Sequence, residues 1–255
     1  MSILTHKTVV VGCLCFSSLL FAGTMDNPVA FSGLWGGVGA GYINTTINGK
    51  TNITMVQSSS SPATFLLNNN QENHFSPMAN IGVFFDLRKQ WVLGAKAVYK
   101  YLGTEQYEQS WAGTFIDGTN ETAGLHTKLG QEFFLLLNSG YQFGDWLVYG
   151  GIGPSIIRVD EILNGDLLPA TSSTFQPANL SSTKTILGGA GQIGFEYMLP
   201  NRFMVDISYN LLASGNTSIP AILFQTGTPG AYTSFQQSVQ VVEQGINISI
   251  NKYFM

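Results

Sequence analysis

The segment 203–211 alternates between two kinds of side chain from one residue to the next. Its apolar members are Phe203, Val205, Ile207, Tyr209 and Leu211, interleaved with Met204, Asp206, Ser208 and Asn210. Because successive side chains of a β-strand point to opposite faces, such a segment has one face that suits lipid and one that is mostly polar. Its length is that of a tilted strand that crosses a bilayer, ~9–11 residues. The segment is therefore predicted to be a transmembrane strand.

The same alternation recurs along the chain. It is regular in 79–87, 91–101 and 187–199, and in the last segment, where Ile246, Ile248 and Ile250 alternate with polar residues. Less regular segments of suitable length are 34–44, 129–143 and 146–159. Beyond the N-terminal segment no apolar run is long enough to span a bilayer as a helix, so a membrane protein of this sequence must cross with strands. Together with 203–211, these segments predict about eight strands.

Short and long connections alternate between the predicted strands. The short ones are 88–90, 144–145 and 200–202, and the long polar ones are 47–74, 103–123, 160–184 and 213–237. Bacterial outer-membrane barrels have short periplasmic turns, long extracellular loops and an even number of strands. We therefore predict an all-β fold, a transmembrane antiparallel up-and-down β-barrel of about eight strands with both termini in the periplasm.

The low content of charged residues argues against the main alternative, a soluble β-sandwich or lipocalin-like barrel. Charged residues make up 10% of the chain, against a usual ~25%. A soluble barrel with so few charges would have an adhesive surface. The mean hydropathy of +0.15 is low for a helical membrane protein. The net charge of −4, without a basic cluster, argues against nucleic acid as a partner.

The N-terminal segment is predicted to be a targeting signal. Lys7 precedes an apolar run over 9–22, which is too short for a transmembrane helix but fits the core of a signal peptide. The predicted organisation is a signal peptide (1–23), a periplasmic N-terminal stub (24–33) and an outer-membrane β-barrel (34–254).

The two cysteines both lie in the predicted signal peptide. An alternative is a lipoprotein in which Cys13, after Val10-Val11-Gly12, carries lipid. Otherwise Cys13 and Cys15 leave with the signal, and the mature chain has neither a disulfide framework nor a cysteine-based metal site.

The first and last predicted strands resemble those of a known family. The segments 35–42 (WGGVGAGY) and 245–254 (GINISINKYF) are similar to the end strands of the small outer-membrane β-barrel family that includes OmpA-type, OmpX-type and opacity-protein domains. The resemblance implies an outer-membrane location in a Gram-negative cell, among outer-membrane lipid and lipopolysaccharide, and insertion by the barrel-assembly machinery. The C-terminal insertion signal would consist of Ile246, Ile248, Ile250 and Phe254. The chain departs from the family signal at Lys252, where an aromatic is usual, and at Met255, which follows Phe254.

Several charged residues fall on the inward, polar phase of their strands. They are Lys96, Lys100, Glu132, Glu196, Asp206 and Glu243. An eight-stranded barrel is just wide enough for side chains to fill, and buried charges persist when they are paired or hydrated. We expect these groups to pair across the lumen as a structural charge cluster. The alternative is that they line a narrow, porin-like ion path.

Catalytic, cofactor and metal sites are not indicated by the sequence. The mature chain has two scattered histidines, His74 and His126, which argues against a zinc site, and no cofactor is predicted. A lipid A-modifying enzyme would need a His and a Ser at the lipid interface. His126 lies at a strand end, but Thr127 and Lys128 supply no serine beside it.

The long predicted loops are the other candidate site. They carry the apolar residues Phe65, Leu66, Leu67, Trp111, Phe115, Ile222, Leu223 and Phe224. Loops on a rigid scaffold commonly carry recognition, so these could bind a host surface, a neighbouring protein or lipopolysaccharide, or could pack over the barrel mouth. The first hypothesis is a non-enzymatic structural anchor and surface-interaction protein of the adhesion or opacity type. The second is a narrow channel for small solutes, and the third is a lipid A-modifying enzyme.

Overall fold

The computed structural model describes residues 31–56, 63–66, 70–87, 90–114, 120–166, 180–218, 222–225 and 232–254. These residues form a single sheet of eleven strands. The strands are β1 (Gly33–Val56), β2 (Ala63–Leu66), β3 (Asn70–Asp86), β4 (Trp91–Thr114), β5 (Asn120–Phe143), β6 (Trp146–Asp166), β7 (Leu180–Met198), β8 (Phe203–Ser214), β9 (Thr217–Ser218), β10 (Ile222–Gln225) and β11 (Tyr232–Phe254). No helix in the described part of the chain is both long enough and apolar enough to cross a membrane.

Eight of these strands close into a barrel. Going round the wall, the order is β11-β8-β7-β6-β5-β4-β3-β1, and every neighbouring pair is antiparallel. The closing pair is β1 with β11, whose register runs from Leu34↔Phe254 to Val56↔Tyr232. The short strands β2, β9 and β10 add to β1 and β11 outside the ring. The predicted eight-stranded antiparallel barrel is confirmed.

The three short turns also lie where the sequence predicts them. Leu87 N donates to Trp91 O at 2.8 Å, which closes the β3–β4 hairpin; residues 88–89 of that turn lie outside the described residues. The β5–β6 turn has Gly144 at φ 61°, a left-handed conformation that costs glycine little. A 3-10 turn over Pro200–Arg202 joins β7 to β8, with Asn201 at φ 62°.

The wall strands are longer than predicted, and this corrects the loop boundaries. β1 continues to Val56 and β4 to Thr114, inside the segments predicted to be the loops 47–74 and 103–123. β2, β9 and β10 also lie within predicted loops. The prediction relied on alternating polarity, which disappears where both faces of a hairpin carry Ser, Thr and Asn, while the backbone ladder continues. The apolar loop residues named above lie outside the part of the chain whose side chains the structure describes.

The wall has its apolar side chains outside and its polar side chains inside. On β8, Phe203, Tyr209 and Leu211 are exposed, whereas Asp206 and Ser208 are buried. The exposed apolar set continues round the wall with Val38, Ile81, Leu93, Leu135, Ile152, Leu187, Ile193, Ile246, Ile248 and Ile250. This inside-out arrangement is that of a barrel surrounded by lipid.

Toward the long loops, β3 and β4 separate and are no longer paired in a backbone ladder. Their ladder stops at Met78↔Lys100, although β3 continues along β1 and β4 continues along β5. The next residue of β3 is Pro77, which has no N–H to donate to a ladder. On β4, Gly103 has φ 81° and lies in a register shift between Tyr101 and Glu105. Both features end the pairing at the same level, and Ser76 Oγ donates to Tyr101 O at 2.9 Å across the division.

Candidate functional site

The inward residues follow one order along the wall strands. On β8, Met204 near the turn is followed by Asp206, Ser208 and Asn210, and then by Leu212 nearer the long loops. Met204 belongs to a buried apolar group that we call the turn-end cluster: Phe31, Trp35, Phe84, Val92, Leu147, Tyr149, Met198, Met204 and Tyr253. Leu212 belongs to the loop-end cluster: Ile43, Ile47, Met78, Val98, Leu102, Leu129, Phe134, Leu136, Ile157, Val159, Ile186, Ala190, Leu212, Val239 and Val241. The inward residues between the two clusters form the polar band.

The turn-end cluster is mainly aromatic. Trp35 stacks on Phe84 with ring centroids 5.9 Å apart, and Phe84 meets Tyr149 edge-on at 6.5 Å. Phe31, which precedes β1, is completely buried in the same cluster. Ser32 Oγ lies 3.5 Å from Phe84 O. The last residues of the segment predicted as a periplasmic stub therefore pack into the barrel end.

Glycines on one strand make room for amide side chains of the next. Gly37 of β1 is the register partner of Asn251 of β11, and a Cβ on Gly37 would overlap Asn251 Oδ1. Gly151 of β6 stands in the same relation to Asn138 of β5. Only glycine leaves this space, which explains part of the high glycine content.

One ion-pair group lies next to the turn-end cluster. Lys96 Nζ donates to Asp206 Oδ2 at 2.6 Å and to Tyr149 Oη at 3.2 Å, and Tyr149 Oη donates to Asp206 Oδ1 at 2.8 Å. The ammonium also lies 5.5 Å from the Trp35 ring centroid. Lys96 and Asp206 are both buried, so their charges are compensated by each other and by aromatic faces.

Glu196 is the predicted lumen charge that forms no ion pair in the described structure. It is the register partner of Asp206, its side chain is completely buried, and neither carboxylate oxygen has a hydrogen-bond partner among the described residues. Two carboxyl groups therefore face each other across adjacent strands, and the nearby ammonium of Lys96 donates to Asp206 and Tyr149 but forms no ion pair with Glu196 in the described structure.

A second ion-pair group is embedded in the loop-end cluster. Lys100 Nζ donates to Glu243 Oε1 at 2.7 Å and lies 3.4 Å from Glu132 Oε2. It also lies 5.1 Å from the Phe134 ring centroid. His74 is buried on the same face of β3 as Met78, nearer the loops. The structure thus brings five of the six predicted lumen charges into two ion-pair groups.

Amide and hydroxyl side chains fill much of the polar band. Asn80 Nδ2 and Asn251 Nδ2 each donate to Ser249 Oγ at 3.1 Å, and Gln192 Nε2 donates to Ser208 Oγ at 2.7 Å. Three further amides are buried with neither the nitrogen nor the oxygen hydrogen-bonded within the described structure: Asn138, Asn210 and Asn247. The sequence shows that these residues are polar and inward, but it does not show which of them lack partners.

The proposed insertion-signal residues all lie on the outer surface of β11. Ile246, Ile248, Ile250 and Phe254 are each about half exposed. Lys252 shares that face, and its Nζ lies 5.2 Å from the Phe203 ring centroid. The Lys252 ammonium therefore lies against an aromatic ring near the barrel end.

His126, the residue at a predicted strand end that was considered for an enzyme, lies within β5. Its register partners are Glu108 on β4 and Ile162 on β6. The side chain is half-buried.

Comparison with known proteins gives a family and several structural likenesses. The family model described as outer membrane protein beta-barrel domain matches residues 13–240. The structure is similar to that of OprG from Pseudomonas aeruginosa, at 13% identity over 90% of this chain and 100% of that one, with a TM-score of 0.44. It is also similar to Ail, the attachment invasion locus protein of Yersinia pestis, at 8% identity over 84% and 98% of the two chains (TM-score 0.34). A third similar structure is the outer membrane protease OmpT from Escherichia coli, at 12% identity over 91% and 100% (TM-score 0.37). No curated protein matches the chain significantly.

Proposed function

Because this chain belongs to the outer membrane protein β-barrel domain family, we propose that it is a sealed, non-enzymatic anchor that displays long extracellular hairpins for surface interactions. As a member of that family it lies in the outer membrane. Its surroundings there would be outer-membrane lipid and lipopolysaccharide. The partners of the hairpins would be lipopolysaccharide, a neighbouring protein or a host surface, and the barrel-assembly machinery would insert the chain.

The observation that carries this proposal is the filling of the lumen. The polar band lies between two apolar clusters, and every member of these clusters is buried. Lys96 and Lys100 both point inward and are held by carboxylates at 2.6 and 2.7 Å. A small barrel whose interior is filled in this way supports a scaffold better than it supports a passage.

Several wall strands continue beyond the filled part of the lumen, and this length supports a role in displaying extracellular hairpins. The β4–β5 ladder runs from Trp91↔Tyr141 to Thr114↔Asn120, well past the last β3–β4 pair at Lys100. At ~3.3 Å per residue, the part of β4 beyond Lys100 provides roughly 45 Å of strand. β1 and β11 form a comparable extension up to Val56↔Tyr232. Such hairpins, held by a rigid wall, are suited to recognition.

The absence of catalysis is part of the proposal. The lumen carboxylates Asp206, Glu132 and Glu243 are engaged by lysines, and apolar clusters separate them from both barrel ends. A substrate would have to pass one of these clusters to reach them.

A narrow channel is the second candidate, and one observation favours it. Within the described residues, the polar band contains buried amides without hydrogen-bond partners, and Glu196 forms no ion pair. These are features of a hydrated interior. The channel requires that both apolar clusters open, whereas the anchor requires that they stay closed.

The test is to shorten the hairpins without touching the filled lumen. In the principal variant the β4–β5 hairpin loses residues 106–128, with a two-residue Asn-Gly turn joining Glu105 to Leu129; these two residues are register partners and flank the ladder pairs that would be removed. The matched control keeps the full hairpin length but replaces the outward residues of that segment with serine and threonine.

We expect the shortened chain to reach the outer membrane, to fold, and to lose binding of cells to surfaces. The control separates an effect of length from an effect of side chains. If equivalent shortening of all four extracellular connections leaves both adhesion and membrane integrity unchanged, the display role is wrong.

A further inference from the structure

We propose that the outer wall formed by β3, β1, β11 and β8 carries a binding site for the sugar rings of a glycolipid in the outer leaflet of the membrane. The site lies on the side of the barrel, at the end of the apolar surface that is nearest the long loops. It consists of two rows of outward side chains on the wall itself, so it does not depend on what the extracellular hairpins bind.

The first argument is a row of hydrogen-bonded amides on the outer surface, which we call the amide row: Gln71 and Asn73 of β3, Asn44 of β1 and Gln244 of β11. Gln71 Nε2 donates to Asn44 Oδ1 at 2.9 Å, and Asn44 Nδ2 donates to Asn73 Oδ1 at 2.6 Å. Asn44 is the register partner of both Asn73 and Gln244. An amide has two donor hydrogens and an oxygen with two lone pairs, so these mutual bonds orient the amides and leave donors and acceptors for a ligand.

The second argument is a row of exposed aromatic rings next to the amides on the side of the short turns, which we call the aromatic row: Phe75 of β3, Tyr42 of β1 and Tyr209 of β8. Phe75 and Tyr42 are register partners whose ring centroids are 5.2 Å apart, and Phe75 is 77% exposed. Tyr209 Oη donates to Gln244 Oε1 at 2.9 Å, which joins the two rows. Aromatic belts are usual at the membrane boundaries of barrels. Here the bonded amides add directional hydrogen-bonding groups beside the rings.

The chemistry of the two rows suits an uncharged sugar. A pyranose ring has a face of C–H groups, which packs on the negative face of an aromatic ring, and a rim of hydroxyl groups, which donate and accept hydrogen bonds as amides do. Among the outward side chains that the structure describes on these four strands, the only charged one is Lys252, at the opposite end of β11. On β6, by contrast, Ile156 is followed on the outer face by Arg158 and Asp160. A phosphate group would favour the Arg158 side of the barrel, whereas hydroxyl groups favour the amide row.

The height of the two rows on the wall indicates that the ligand is a membrane lipid. Asn44 lies two residues beyond Tyr42, and Asn73 lies two residues beyond Phe75, both toward the long loops. At ~3.3 Å per residue the amides are therefore ~7 Å beyond the aromatic rings. The headgroup layer on each side of a bilayer is roughly 5–7 Å thick. Side chains on the outer surface at this height face the lipid headgroups, and at the long-loop end these belong to the outer leaflet.

The direct test uses the unaltered protein in detergent micelles and nuclear magnetic resonance of its side-chain amides. The probe is lipopolysaccharide without O-polysaccharide, either intact or with its lipid A phosphates removed. Both forms should shift the side-chain resonances of Asn44 and Asn73 and leave those of Gln131, an exposed amide on β5, unchanged. Phosphatidylglycerol, which has no sugar ring, should shift none of them.

Three results of this experiment would overturn the proposal. Equal shifts with the phospholipid would mean that the rows are an aromatic belt without sugar recognition. Shifts that require the phosphates would mean that the bound group is an anion. Amide resonances that do not move with either form of lipopolysaccharide would mean that no sugar is bound.

The second test compares two matched double variants in lipid nanodiscs that contain labelled lipopolysaccharide. Asn73→Ala with Phe75→Leu removes an amide and a ring from the outer face of β3, and Gln131→Ala with Phe133→Leu does the same on β5. The β3 variant should bind lipopolysaccharide roughly tenfold more weakly than the unaltered protein, because it loses a hydrogen-bonding amide and a stacking ring. The β5 variant should bind it as the unaltered protein does.

Equal affinities for all three proteins, or equal losses in the two variants, would contradict the site. The four replaced residues are all exposed, so both variants should fold. If the β3 variant does not fold, the resonance experiment on the unaltered protein decides.

A third measurement separates a membrane glycolipid from a free glycan. The saccharide released from its lipid should need a roughly tenfold higher concentration to shift the same amides, because the lipid form is confined to the membrane beside the site. A free saccharide that binds as tightly as the glycolipid would overturn the assignment to a membrane lipid. The hairpin variant that lacks residues 106–128 retains both rows, so the display role and this site can fail separately.

Discussion

Glu196 and Asp206 are register partners on β7 and β8, yet only Asp206 has an ion-pair partner, Lys96 Nζ at 2.6 Å. Both side chains are buried within the lumen. The two carboxylates therefore occupy equivalent positions in the wall but unequal electrostatic environments. This difference leads to opposite expectations for their replacement.

Glu196→Gln should be neutral or stabilising, because it removes a buried carboxyl group that has no ion-pair or hydrogen-bond partner among the described residues and keeps the shape of the side chain. Asp206→Asn should destabilise the folded barrel by roughly 3–5 kcal/mol, because it leaves the Lys96 ammonium buried and uncompensated. Urea unfolding in lipid vesicles measures both free energies. Equal destabilisation by the two substitutions would show that Glu196 has a partner of its own.

The Lys100 group allows a test of whether charge as such is needed. Lys100→Met should destabilise the fold by about 3–5 kcal/mol, because Glu132 and Glu243 would then face each other inside the loop-end cluster without a cation. Adding Glu132→Gln and Glu243→Gln to Lys100→Met should recover most of the loss, since no charge remains buried. A triple variant no more stable than the single one would mean that the group is held by packing instead.

Gly151 is predicted to be intolerant of any side chain. A Cβ there would overlap Oδ1 of Asn138 and lie 3.0 Å from the Leu137 carbonyl oxygen, so Gly151→Ala should cost about 1–3 kcal/mol of unfolding free energy. Gly189→Ala on β7 is the matched control, because a Cβ at that position meets nothing within 4 Å. The prediction fails if the two variants unfold at the same urea concentration.

The outward face of β11 should tolerate charge poorly. Ile248 is 54% exposed on the apolar surface of the wall, so Ile248→Lys should destabilise the protein in lipid vesicles by roughly 2–4 kcal/mol. Gln71→Lys, at an exposed position of β3 beyond the apolar surface, should change stability by less than about 0.5 kcal/mol. A small effect at Ile248 would place the lipid boundary elsewhere on the strand.

The sequence predicted the faces of the strands better than their lengths. Ile207 and Asp206 are assigned to opposite faces by period two alone, and the structure places them so. The continuation of β4 to Thr114 was not predictable in this way, because the backbone ladder with β5 does not require an alternation of polar and apolar side chains.

The lumen could be predicted only at the level of residue type. Lys96, Asp206 and Glu196 are all inward by alternation, but which carboxylate receives the ammonium depends on how the strands are staggered round the ring. The same holds for Asn138, whose side-chain amide has no hydrogen-bond partner among the described residues. Contacts between strands that are distant in sequence cannot be predicted from the pattern of any single segment.

The measurement that tests the sealed barrel most directly is current recording across a planar lipid bilayer that contains the folded, unaltered protein. Because the turn-end and loop-end clusters close the barrel at both ends, we expect no current steps above the protein-free baseline at either polarity. Reproducible steps that carry cations in preference to anions would contradict the sealed anchor and would identify the polar band as part of an open path.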